Sequence, residues 1–142
     1  MASQTHTLTI PSSTRYLEDV RQFVTKKAYS AGFSERDVEQ LKIAVDEACT
    51  NVIKHAYDGE GEHVIDLAVI VTDDKLTIRI RDRGRAFNPD SYAEPNLIEF
   101  AKSRKAGGLG VHIMNRLMDR VEYKTTNGVN ECCLVKYLPD SE

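Results

Sequence analysis

The spacing of apolar positions shifts along the chain between alternation and a helical repeat, and each shift marks an element. "HTLTI" alternates as a short strand that Pro11 closes. From about Ser13 to Ala31 the apolar residues Leu17, Val20, Val24, Ala28 and Ala31 follow a helical spacing, and Gly32 is suited to stop it. Ser34 followed by Asp37 has the form of a capping box, and opens a second helix with Val38, Leu41, Val45, Ala48, Val52 and Ala56 on one face. The glycines and acids of "YDGEG" end it.

Alternation then returns. In "HVIDLAVIV" the residues Ile65, Leu67, Val69 and Val71 share a side, and "TDDK" turns the chain into "KLTIRIRD", where Leu76, Ile78 and Ile80 do the same. This predicts a hairpin with one buried and one wet face. Residues 88–107 carry Pro89 and Pro95, show no period, and read as a mobile segment. "GGLGVHIMNRLMD" opens a short helix on Val111, Met114, Leu117 and Met118, and a last hairpin turns on Asn127-Gly128. The pattern predicts a single domain, residues 1–142, built as a two-layer α/β sandwich. Helices would cover one face of a mixed, largely antiparallel sheet.

Composition narrows the class. The chain has 142 residues, 41% hydrophobic and 29% charged, enough for one core and too polar for a bundle of membrane helices. No apolar run approaches the roughly 20 residues of a membrane span, and "MASQTHTLTIPSS" lacks a signal peptide's apolar stretch, so a cytoplasmic protein is expected. A net charge of -3 disfavours general binding to nucleic acid. "RIRDRGR" is a local basic run without an aromatic platform, and reads as a solvated strand face. Cys49, Cys132 and Cys133 form no framework, and no histidine stands at a zinc-ligand spacing from them, so they read as packing residues.

Three features suggest chemistry. On the second helix Glu47, Asn51 and His55 recur every four residues along the shoulder of the apolar face, where a cleft would open. Taken alone, an ordinary solvated helix flank explains them better. Asp82 extends the phase of Leu76, Ile78 and Ile80, so alternation points its carboxylate inward, which is costly without a hydrogen-bond partner. Capping the turn "DRGR" is its plain structural role. Gly107, Gly108 and Gly110 stand before a helix, where open N–H groups suit an anion, and Arg104 and Lys105 add positive charge. The alternative there is a hinge. The run is neither a P-loop nor a dinucleotide fingerprint, since Ile113 takes the third glycine position.

Together "DEACTNVIKHAY", "DRGRAFNP" and "GGLGVHIMNRLMDRVEY" resemble the boxes of the Bergerat ATP-binding fold, shared by DNA gyrase and histidine kinases. The nearer resemblance is to the anti-sigma-factor serine/threonine kinases of the sporulation and general-stress type. It implies Glu47 as general base, Asn51 as ligand to a magnesium ion on the phosphates, and Lys54 as a phosphate contact. Asp82 would accept from the adenine amino group and Gly84 would give the ring room. Arg104, Lys105, Gly108, Leu109, Gly110 and Val111 would hold the phosphates beneath a lid of about residues 91–107, and Ala86 departs from a frequent glycine. His55 and His112 would be outer or surface residues. The resemblance further implies ATP and Mg2+, a STAS-type anti-anti-sigma partner, a sigma factor, a homodimer, and no contact with nucleic acid or membrane. Plain ATP hydrolysis, or a nucleotide-dependent binding module without chemistry, are the alternatives.

Overall fold

A computed structural model describes residues 3–57, 63–85 and 108–139. Its strands are β1 (Gln4–Pro11), β2 (Val64–Val71), β3 (Lys75–Asp82), β4 (Arg120–Thr126) and β5 (Val129–Tyr137). Its helices are α1 (Leu17–Ala31), α2 (Glu35–Asn51) and α3 (Gly108–Leu117). The strands form one sheet in the order β1-β2-β3-β5-β4, and every pairing is antiparallel. The expected two-layer sandwich is present, with a sheet that is wholly rather than largely antiparallel among the described residues.

Local chemistry sets the boundaries. Ser13 caps a 3-10 turn, Thr14–Tyr16, that leads into α1. Gly32 ends α1 at φ 100°, a left-handed conformation in which a side chain would be strained. The Ser34 hydroxyl accepts from the Asp37 N–H at 3.2 Å and opens α2. Asn127 and Gly128, at φ 53° and 79°, make the two-residue turn between β4 and β5, whose twist matches that of the strands.

The core lies between the layers. Val20 and Val24 of α1, Val38, Leu41 and Val45 of α2, and Met114 of α3 meet Ile65, Leu67, Leu76, Ile78, Ile80 and Leu134 of the sheet, all fully buried. Cys49 and Cys132 belong to this core, and burial raises both thiols, Cys132 to about 12, so they pack as neutral groups. Cys133 faces the other way and is half-buried. No helix among the described residues is long and apolar enough to cross a membrane.

Two expectations are corrected. Regular α-helix stops at Asn51, and Val52–Ala56 forms a five-residue π turn. The wider turn buries Ile53, which the four-residue spacing had left off the apolar face, and it interrupts the stripe running from Glu47 through Asn51 to His55. The outer sheet face is also less wet than alternation suggests. Thr77, Glu131 and Val135 are buried there, and Arg81 of the basic run donates to Glu131 at 2.7 Å rather than standing free in solvent.

Candidate nucleotide site

At the end of α2 several polar groups are left open. Asn51 is only 8% exposed, and its Nδ2 is buried with no hydrogen-bond partner. Glu47, one turn earlier, is half-buried and makes no hydrogen bond or ion pair among the described residues. Burial pushes its carboxyl above the usual range and the charge of Asp46 adds to this, while Lys54 pulls the other way. Asp46 itself is committed to α1, where Arg21 reaches it at 2.9 Å. The stretch thus places one unpaired carboxylate and one unpaired amide on neighbouring turns of a helix shoulder.

The loop after β3 lies against the π turn. The Arg85 N–H donates to the Ala56 carbonyl at 2.8 Å. Gly84 packs so tightly on this turn that a Cβ built there would fall 2.6 Å from the Ala56 carbonyl carbon. Here glycine is required by space rather than by φ. The Tyr57 hydroxyl donates to the Val64 carbonyl at 2.8 Å and accepts from the Arg83 N–H at 2.9 Å, tying α2, β2 and the loop together.

Asp82 points inward as its phase requires, and is 7% exposed. Its Oδ1 accepts from the Gly84 N–H at 2.9 Å, so the turn-capping role is real. The same oxygen accepts from Asn130 Nδ2 at 2.8 Å. Among the described residues no donor reaches Oδ2. One oxygen therefore builds the loop, and the other has no donor among the described residues.

The remaining expected residues divide by position. Gly108, Leu109, Gly110 and Val111 are the first residues of α3, not the loop before it. This changes which N–H groups are open, because the first four of a helix have no partner inside it. Lys54 is exposed within the π turn, and His55 lies in the same turn. Arg104, Lys105, Gly107, Ala86 and the lid of residues 91–107 lie outside the described residues. Among the described residues no cluster of three or more His, Cys, Asp and Glu could hold a metal by itself.

Asn130, Thr125 and Tyr57 were not singled out from the sequence. Asn130 shares the inward phase of Cys132 and Leu134, the same signal that marked Asp82. A polar residue at a core position of β5 would have pointed to it. Tyr57 carried no such signal, because it follows a turn whose π geometry the spacing does not encode.

A helix shoulder with open acid and amide, beside a buried carboxylate with one free oxygen, describes an ATP-binding domain of the histidine kinase-like class. The chain belongs to the histidine kinase-like ATPase domain family, whose model matches residues 10–136. It is similar to the serine-protein kinase RsbW of Halalkalibacterium halodurans, 36% identical over 98% of this chain and 86% of that protein. It is also similar to RsbW of Listeria monocytogenes, 34% identical over 96% of this chain and 88% of that protein. The expectation of an ATP-using protein kinase is borne out by these relatives. In fold alone it is similar to the RsbU and RsbW domains of Rv1364c from Mycobacterium tuberculosis, with TM-score 0.67, 15% identity, 96% of this chain and 33% of that chain covered. The SiaB–SiaC complex of Pseudomonas aeruginosa is similar at TM-score 0.57 and 13% identity, covering 94% and 89%.

Proposed function

We propose that the protein transfers the γ-phosphate of ATP to a serine or threonine of a small STAS-type anti-anti-sigma partner. In this reading it also binds and restrains a sigma factor while that partner is not held. The observation that carries the catalytic part is Glu47, a carboxylate raised by burial and left unpaired one helical turn from Asn51. A base of that kind can take the hydroxyl proton as the acceptor oxygen bonds to the γ-phosphorus. The bond from that phosphorus to the β-bridging oxygen breaks, and ADP leaves with the electron pair.

The other assignments rest on the resemblance, and those of Arg104 and Lys105 on it alone. Asp82 Oδ2 accepts from the adenine amino group; the expected role of Gly84 in giving the ring room is replaced by close packing on the π turn, because a Cβ there would meet the Ala56 backbone. Lys54, Arg104, Lys105 and the N–H groups of Gly108 to Val111 hold the phosphates. A magnesium ion would be held through the side-chain oxygen of the buried Asn51, while its unmet Nδ2 is a donor and would serve a phosphate oxygen instead. Such an ion would supply charge neutralisation at the phosphates.

Release of the phosphorylated partner follows from charge. Its phosphate brings about two negative charges close to Glu47. Asp46 adds little to that repulsion, because Arg21 already neutralises it. A lid over about residues 91–107 and a homodimer belong to the same reading on the resemblance, and a single domain over residues 1–142 and a cytoplasmic site of action on the length and pattern of the chain. The test is incubation of the full chain with ATP and a STAS-type partner, with mass spectrometry of the partner and a pull-down before and after. A Ser/Thr phosphate and weakened binding are expected. Free phosphate without phosphoprotein would make the protein an ATP hydrolase, and ATP binding without turnover would make it a binding module.

A further inference from the structure

We propose that Thr125 and Asn130 are positioning residues that set the base specificity of the site, restricting it to purines with an amino group at the position facing Asp82. The inference rests on reading Asp82 as the base acceptor, and goes beyond it by placing the discrimination in the β4–β5 hairpin. Asn130 is 6% exposed and lies opposite Asp82 in the pairing of β3 with β5. The two hydrogens of its Nδ2 are shared among Asp82 Oδ1 at 2.8 Å, the Gly84 carbonyl at 2.9 Å and the Arg85 carbonyl at 3.2 Å. Facing acceptors alone, that end of the amide must be the NH2. The other end is fixed too, since the Thr125 hydroxyl donates to Asn130 Oδ1 at 2.7 Å from the paired residue on β4.

The relay acts on one oxygen of Asp82. Oδ1 already receives the Gly84 N–H and Asn130 Nδ2, which uses both of its lone pairs. With Oδ1 pinned, the carboxylate plane cannot turn, and Oδ2 is presented as an acceptor in one direction. A base with a donor there completes the bond. A base with a carbonyl sets lone pair against lone pair, and one with hydrogen leaves Oδ2 desolvated without a partner. Without Asn130 the carboxylate loses its fixed aim.

The experiment compares ATP with purine riboside triphosphate, in which hydrogen replaces the adenine amino group, by calorimetry on the full chain. Wild type should prefer ATP by about 10- to 100-fold, the contribution of one charge-assisted hydrogen bond. In Asn130→Leu the two nucleotides should come within about threefold of each other, with the deaminated nucleotide bound about as in wild type. A preference that survives in Asn130→Leu overturns the relay, and so does an equal loss for both nucleotides, which would make Asn130 a scaffold residue only. Absence of any preference in wild type overturns the base-acceptor reading of Asp82 itself, and the relay with it. Should Asn130→Leu fail to fold, Thr125→Val, on an exposed position, reads the same ratio: a fall of about threefold supports the relay and an unchanged ratio overturns it.

Discussion

The two ends of the candidate cleft are built on opposite principles. At the α2 end Glu47 and Asn51 Nδ2 make no hydrogen bond among the described residues, and the exposed Lys54 meets Glu47 only through its charge. At the loop end almost every polar group is tied. Gly84 N–H and Asn130 hold Asp82, Tyr57 holds Arg83, and Ala56 holds Arg85. An unmet buried group costs about 1–3 kcal/mol, so the Asn51 amide nitrogen is an expense that folding alone does not justify. It makes sense where partners must be exchanged during a reaction, as phosphate, metal and an acceptor hydroxyl come and go. Recognition of a base needs no exchange, and there a prebuilt site loses less entropy on binding.

The contrast can be tested from both sides. Its largest expected effect is at the open end: Glu47→Gln should keep nucleotide affinity and lose about 10²–10⁴ of the phosphoryl-transfer rate. A rate equal to wild type in a labelled-phosphate assay would remove the base assignment. At the tied end Asp82→Asn should cost about 1.5–3 kcal/mol of ATP binding by calorimetry, with folding little changed. Gly84→Ala should do the reverse of Glu47→Gln, costing about 1–3 kcal/mol of stability in denaturant melts because its methyl meets backbone that cannot yield. Tyr57→Phe should lower stability by about 1 kcal/mol, the usual loss when a hydroxyl bridge is removed.

The smallest effect is one of sign, and belongs to the open end. Glu47 ionises at a higher pH in the folded chain than its ordinary value of 4.5, so the folded form holds the proton more tightly. The stability this confers is full below that ordinary value and is lost as pH rises through the raised one. Glu47→Gln, which stays neutral, should therefore melt slightly above wild type at pH 7, with the difference vanishing near pH 4. The transfer rate should run the other way and rise with pH through the same titration, since the base must be ionised. A variant that melts below wild type at neutral pH would mean that Glu47 has a stabilising partner in solution.

Much of this was legible in the chain. Alternation in β3 placed Asp82 inward before any contact was known, and burial at 7% agrees. Ser34, Gly32 and the Asn127-Gly128 turn announced their boundaries because each acts through its own few residues. The stripe on α2 was legible only as far as Asn51. Past it the π turn adds a residue to the repeat, and no local propensity signals that, because the packing of Gly84 and Arg85 on Ala56 accompanies it from another part of the chain.

What the sequence determined by itself was therefore local: the period of each element, the caps, the turn, and which side of a strand each residue takes. The tertiary structure decided which oxygen of Asp82 is spent and which is free, because its second donor arrives from Asn130, 48 residues away. It decided that Asp46 is paired and Glu47 is not, because Arg21 lies on α1 beside one of two adjacent acids. Periodicity fixes a direction relative to the residue's own backbone. Hydrogen bonding depends on what another segment brings to that direction, and only the folded chain supplies it.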